Sequence, residues 1–155
     1  MGLFNSIDVS ASGLTAQRLR LDTIASNLAN ASTTRTTKIG PDGKPLPYRR
    51  QMVIFEAMPG EKRSFSNVLK NEIEAAKIGN GVRVKAVVED LETPLRRVYD
   101  PSHPDADAEG YVNYPNVNPV TEMVDMIDTT RSYEANAQAI NAVKSMVSKA
   151  LDLAR

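Results

Sequence analysis

The sequence predicts a mainly α-helical fold: long N- and C-terminal helices packed as an antiparallel coiled coil, with a small middle region containing a β-hairpin and an extended Pro-rich linker. Near the start, Ile7, Leu14, Leu21 and Leu28 recur every seven residues, with Ala11, Ile24 and Ala25 beside them. Near the end, Met126, Tyr133, Ile140, Val147 and Ala154 repeat that interval, flanked by Met123, Ile127, Ala137, Val143, Ala150 and Leu151. A strict seven-residue period keeps an apolar seam facing a partner helix along its whole length. Between these ends, Gly, Pro and Thr punctuate the chain too often for anything but short elements.

Residues 1–31 read as the first helix. They are rich in Ala, Leu, Ser and Asn, hold Gly13 as a breaker and contain no proline. Ser6 or Asp8 suits its N-cap, and the stripe stops at Leu28, just before Asn30 and a Ser-Thr-Thr run. Residues 32–118 form the middle region. Thr33 to Pro47 reads as a loop or hairpin tip turning at Pro41-Asp42-Gly43. Residues 50–57 form a short apolar run that stops at Pro59-Gly60, and residues 82–89, alternating through Val82, Val84 and Ala86, are its expected antiparallel partner. An inserted short helix is expected near 64–78, where Phe65, Val68, Leu69, Ile73 and Ala76 share one face and Gly79 follows at the C-terminal position. From Pro94 to residue 118, Pro94, Pro101, Pro104 and Pro115 impose an extended, turning connector. Asn118-Pro119 then opens the second helix, 119–155, with Asn at the cap and Pro at the first helical position.

Composition removes several functions. The 19 basic and 19 acidic side chains cancel, which leaves no electrostatic drive toward nucleic acid or an anionic membrane surface and little self-repulsion to oppose association. The absence of cysteine excludes disulfides and thiolate chemistry. No apolar run is long enough for membrane insertion or for a cleaved signal-peptide core. Asp105-x-Asp107-x-Glu109-Gly110 imitates half of an EF-hand, but Asn116 stands where the bidentate Glu is required and Pro104 and Pro115 break the flanks. His103, the lone histidine, reads as a solvated loop residue, and Gly79-Asn80-Gly81 as a turn. No metal, cofactor or catalytic constellation is expected.

The residues themselves carry a resemblance. Ser12-Gly13-Leu14, Ala16-Gln17, Leu21-Asp22 and Asn27-Leu28-Ala29-Asn30 are similar to the opening motifs of the bacterial flagellar axial proteins, the rod and hook family. The run from Arg131 to Asn136, Arg-Ser-Tyr-Glu-Ala-Asn, resembles that family's closing helix. Residues 98–118, together with the short overall length, are similar to a proximal rod member rather than to the longer hook and distal-rod members. The turn at 33–42 and the segment 61–80 look like enlargements on the family's shorter forms.

The resemblance implies a structural subunit of the flagellar proximal rod. Such a subunit self-assembles through its terminal helices into the shaft that carries torque from the motor to the hook. It implies as partners further copies of the chain and other rod proteins, including the basal-body base and the distal rod, with the export apparatus during secretion. The expected location is the rod in the periplasmic space, reached without a cleaved signal peptide. The expected assembly residues are Leu14, Leu21, Ile24 and Leu28 against Met123, Ile127, Ile140 and Val147, with Tyr133 on the seam and its hydroxyl at an edge. Asn27 and Asn30 either cap a helix or bond a neighbouring subunit, Arg131 reads as a solvated charge, and Asn136 closes the family motif. Without the resemblance, the helices fit equally a soluble coiled-coil binding module or export chaperone.

Overall fold

A computed structural model describes residues 3–40, 43, 45–58 and 81–153. The helix expected near 64–78 and its Gly79 lie outside the described residues, as do Ala154, Pro41 and Asp42. The element order is α1 (Leu3–Ala29), β1 (Gln51–Ala57), β2 (Val82–Glu89), β3 (Arg96–Tyr99), β4 (Tyr111–Tyr114) and α2 (Pro119–Leu153). The two terminal helices pack together, and two small antiparallel sheets, β1-β2 and β3-β4, occupy the middle. Contacts divide the chain into two compact units, one of Met1–Arg18, Phe55–Lys85 and Arg131–Arg155, the other of Leu19–Ile54 and Ala86–Thr130. Each unit therefore holds the start of one helix and the end of the other, as an antiparallel pair requires.

The 35 residues of α2 make about 52 Å of helix at 1.5 Å per residue. It begins as its sequence demands. The Asn118 side chain accepts from the Val120 N–H at 3.1 Å, and its carbonyl accepts from the Glu122 N–H at 3.0 Å. Pro119 takes the first helical position, where no N–H is needed. At the other end of α1, the Asn30 amide donates back to the Ser26 carbonyl at 2.9 Å while its oxygen accepts from the Thr33 hydroxyl at 3.1 Å. Asn30 thus caps the C-terminus of α1, its side chain adding a second bond to the Ser26 carbonyl that its own backbone N–H meets at 3.1 Å.

In the first unit the small side chains set the approach of α1. A methyl group at Gly13 would stand 3.1 Å from the Asn136 side chain, so hydrogen at this position lets α2 come close. Its neighbour Ser12 accepts from the Val82 N–H at 3.1 Å and donates to the Val9 carbonyl at 2.7 Å, pinning the start of β2 to α1. Gly81, at φ +102°, is the residue that fits there, since a methyl group would meet the Ser12 hydroxyl at 2.3 Å. The Ser-Gly pair of the N-terminal motif therefore serves one close contact with a strand and one with a helix. Among the described residues of this unit, Ala16 and Val143 are the buried apolar side chains.

In the second unit the tip at 33–47 is a narrow hairpin: the Thr36 and Leu46 N–H groups donate to the Leu46 and Lys38 carbonyls, and Ile39 bridges Pro45. The stretch 94–118 departs from its expectation. It is not a plain connector, because β3 and β4 pair antiparallel with Arg96 opposite Tyr114 and Tyr99 opposite Tyr111. Pro94 and Pro115 flank this hairpin and Pro101 and Pro104 lie in its loop, none entering a strand, and the strands are four residues each, too short for alternation to announce them. Stacking holds it instead: the Arg97 guanidinium lies 4.2 Å from the centre of the Tyr111 ring, and the Tyr99 and Tyr111 rings meet edge to face at 5.2 Å. Val112, Pro115 and Val117 carry the burial below it.

The carboxylates of this region fasten loops. Asp107 accepts from the Glu109 and Tyr111 N–H groups, both at 2.9 Å, and pairs with Arg97. Asp105 pairs with Thr34 and Arg35 of the hairpin tip. The two aspartates of the EF-hand-like run thus already have protein partners. His103 is half-buried rather than solvated, accepting at Nδ1 from the Asp105 N–H at 3.1 Å. The Tyr111 N–H holds the Asp107 carboxyl below its ordinary value, the Thr34 hydroxyl does so for Asp105, and the Thr93 N–H for Asp90. A depressed carboxyl stabilises the fold above its unfolded value and loses that contribution as pH falls through the folded one. Amide protection of residues 96–114 should be flat from neutral pH to about pH 5 and fall below the ordinary aspartate value of 3.8. Exchange measured across that range checks it, and protection unchanged at acid pH would contradict it.

Candidate functional site

The helix pair is built differently from the stripe that announces it. In the second unit, the residues most buried on the seam are Thr23, Ile24, Asn27, Glu122 and Thr129. Leu21 and Leu28 are half-buried at its border. The Thr23 and Thr129 hydroxyls bond the carbonyls four residues back, Leu19 at 2.8 Å and Asp125 at 2.6 Å, so neither buried hydroxyl is left unmet.

Asn27 and Glu122 form its centre, 1% and 0% exposed. The Asn27 amide donates to the Glu122 carboxylate at 3.1 Å and to the Gln51 carbonyl at 2.9 Å. Its oxygen accepts from the Tyr48 hydroxyl and the Gln51 N–H, each at 2.9 Å. An asparagine side chain offers two donors and two lone pairs, so Asn27 is saturated within its own chain. Those four bonds all go to groups of its own chain, and none of them closes a helix end. The other Glu122 oxygen accepts from Arg50 Nε at 2.6 Å, and Arg50 reaches Asp125 at 3.3 Å. Arg20 of α1 stands 3.8 Å from the same Asp125. The Arg50 N–H in turn donates to Asn116, whose amide bonds the Asp90 and Thr93 carbonyls. One polar network thus joins α1, β1, the linker and α2. A buried charge is tolerated only when paired and hydrogen-bonded, and Glu122 is both.

The expected assembly residues separate into two groups. Ile24 is buried, and Leu14, Leu21, Leu28, Asn136, Ile140 and Val147 are half-buried within the chain. Met123 and Ile127 are not: they are 47% and 55% exposed, and with Val120 and Val124, 64% and 54% exposed, they line the outward side of the first turns of α2. Met123 and Ile127, expected against the α1 leucines, thus leave about half of their surface uncovered in the single chain. Glu122 and Thr129 take the inward places, because Arg50 and Asn27 supply partners that an apolar residue there would orphan. Tyr133 is 37% exposed, and Arg131 is exposed. Sequence reasoning passed over Thr23, Arg50, Glu122 and Thr129. Their signal is faint, since a polar residue at a core position is legible only when its partner is known.

Among the described residues, no helix is long and apolar enough to cross a membrane. The architecture is two terminal helices packed together, with two small antiparallel sheets formed by the residues between them. Two family models match, "Flagella basal body rod protein" over residues 7–35 and "Flagellar basal body rod FlgEFG protein C-terminal" over residues 108–153. The chain is 49% identical over 156 residues to the flagellar basal-body rod protein FlgC of Bacillus subtilis (strain 168), covering 100% of both chains. It is 49% identical to FlgC of Borreliella burgdorferi, covering 97% of each, and 43% identical to FlgC of Escherichia coli O157:H7, covering 99% of this chain and 98% of that one. The chain belongs to the FlgC family of flagellar basal-body rod proteins, as a structural rod subunit and not an enzyme. The soluble chaperone reading falls with that result, and the family implies assembly with other components of the rod.

Asn27→Ala should cost about 2–4 kcal/mol, because it removes bonds to a buried carboxylate and leaves the Gln51 N–H unmet. Asn30→Ala, at a half-exposed cap, should cost about 1 kcal/mol. Denaturant titration of both variants checks the ranking, and equal losses would contradict it.

Proposed function

We propose that this subunit builds the proximal rod through two faces of its terminal helices with different tasks. The inward face, centred on Asn27 and Glu122, fixes the helix pair within a subunit. The outward face of α2, carrying Val120, Met123, Val124 and Ile127, packs on helices of adjacent subunits. The observation that carries this reading is the exposure of those four apolar residues at i, i+3, i+4 and i+7 on a helix whose opposite side is occupied. That spacing is how an amphipathic helix presents anchors to a groove. Burying each such side chain contributes about 1.5–3 kcal/mol, and a contact that repeats by a rotation that does not close generates a filament.

The neighbours in this reading are further copies of the chain and other rod proteins, with the basal-body base on one side and the distal rod on the other. Leu14, Leu21, Ile24, Leu28, Ile140 and Val147 hold the subunit's own pair, while Tyr133, Arg131 and Asn136 lie along the middle of α2 within reach of both tasks. Torque passes through stiffness rather than chemistry, which suits a subunit whose buried carboxylate is neutralised by fixed partners. The subunit reaches the rod in the periplasmic space through the flagellar export apparatus.

Ile127→Asp tests the division of tasks. It places a charge on the outward face, so the purified subunit should keep its unfolding midpoint to within about 0.5 kcal/mol. Basal bodies from cells carrying it should lack a complete rod, and swimming should be lost. Normal rods in these cells would remove the outward face from assembly. A large loss of subunit stability would show that Ile127 belongs to the core.

A further inference from the structure

The apolar stripe of the helix pair cannot specify its own register. Leu14, Leu21 and Leu28 are interchangeable under a slip of seven residues, and so are Met126, Tyr133, Ile140 and Val147 in their apolar character. After such a slip the bordering side chains meet equivalents of themselves. The polar network has no such repeat. One heptad along from Asn27 stand Arg20 and Thr34, and one heptad along from Glu122 stands Thr129. A slipped pair brings Asn27 toward Thr129 or past the start of α2, and takes Glu122 away from Arg50, which travels with α1 because Asn27 holds the backbone of Gln51 through two hydrogen bonds. Glu122 would then be a buried carboxylate without its guanidinium, the arrangement that buried charges tolerate least.

We infer that the Asn27–Glu122–Arg50 network is a register lock: it selects one pairing of the axial helices among heptad-related alternatives, and the apolar border supplies stability without choosing. A single polar residue at a core position of a coiled coil acts in the same way. The inference does not depend on which neighbours cover the outward face. Its consequence for the subunit is that the position of Val120, Met123, Val124 and Ile127 along the helix pair is set by a contact made on the other side of the helix.

The cysteine-free sequence makes the test direct. Nitroxide labels are attached to the full chain at Ala29→Cys and Thr130→Cys, both on exposed positions, and their separation is measured by pulsed electron resonance. The wild-type background should give one narrow distance. Asn27→Leu combined with Glu122→Leu should retain helix content by circular dichroism and add a second distance displaced by about 10 Å, one heptad at 1.5 Å per residue. Leu21→Ala should lower the unfolding midpoint and keep the single distance. If the double variant does not fold, Asn27→Ser is read by the same criterion. A single unshifted distance in the folded double variant (or in Asn27→Ser, if that stands in for it), a second distance from Leu21→Ala, or no defined distance in the wild-type background would each overturn the inference.

Discussion

The hydrogen bond between Asn27 and the buried Glu122 carboxylate is the contact on which the helix pair turns. A carboxylate removed from water needs a cation and donors close at hand. Here the cation comes from Arg50, the residue before β1, and the donor from α1, so the charge on α2 can be buried only if the entry to the strand and the first helix are both in place. That requirement runs outward. Gln51 is held by Asn27, Asn116 by Arg50, and the Asp90 and Thr93 carbonyls by Asn116. The middle region is therefore joined to the helix pair by specific polar bonds rather than by a broad apolar floor.

This construction fits the needs of an assembled shaft. A helix pair sealed by bulky residues on every side would be a finished globule, with nothing to offer a neighbour. Here Gly13 and Ala16 allow close approach on the inner side, and two threonines close their hydroxyls onto their own helices. The large side chains at the start of α2 remain on the outside. Apolar surface of this kind, contiguous and on one helix face, marks an interaction site when it occurs on a folded chain.

Much of this was legible in the sequence. The heptads located both helices, Asn118-Pro119 located the start of the second, and the alternation of residues 82–89 located a strand. The side of α2 that faces inward was not legible. Met123 and Ile127 sit in the apolar list and Glu122 does not, because hydrophobicity counts residues one at a time and a buried Glu is favourable only through Arg50, seventy-two positions away. The β3-β4 hairpin escaped for a related reason: it rests on Arg-on-Tyr stacking and an Arg97–Asp107 pair, while its surrounding prolines read as a plain connector. Asn27 shows the same limit, since its motif marks it as special but not whether its partner lies inside the chain.

The most direct test of the account is a side-chain-resolution reconstruction of this subunit within an intact rod by electron cryomicroscopy. The account predicts that Asn27, Glu122 and Arg50 meet inside one subunit, while Val120, Met123, Val124 and Ile127 are covered by helices of adjacent subunits. A rod in which Asn27 bonds a neighbour, or in which those four side chains face open solvent, would contradict it.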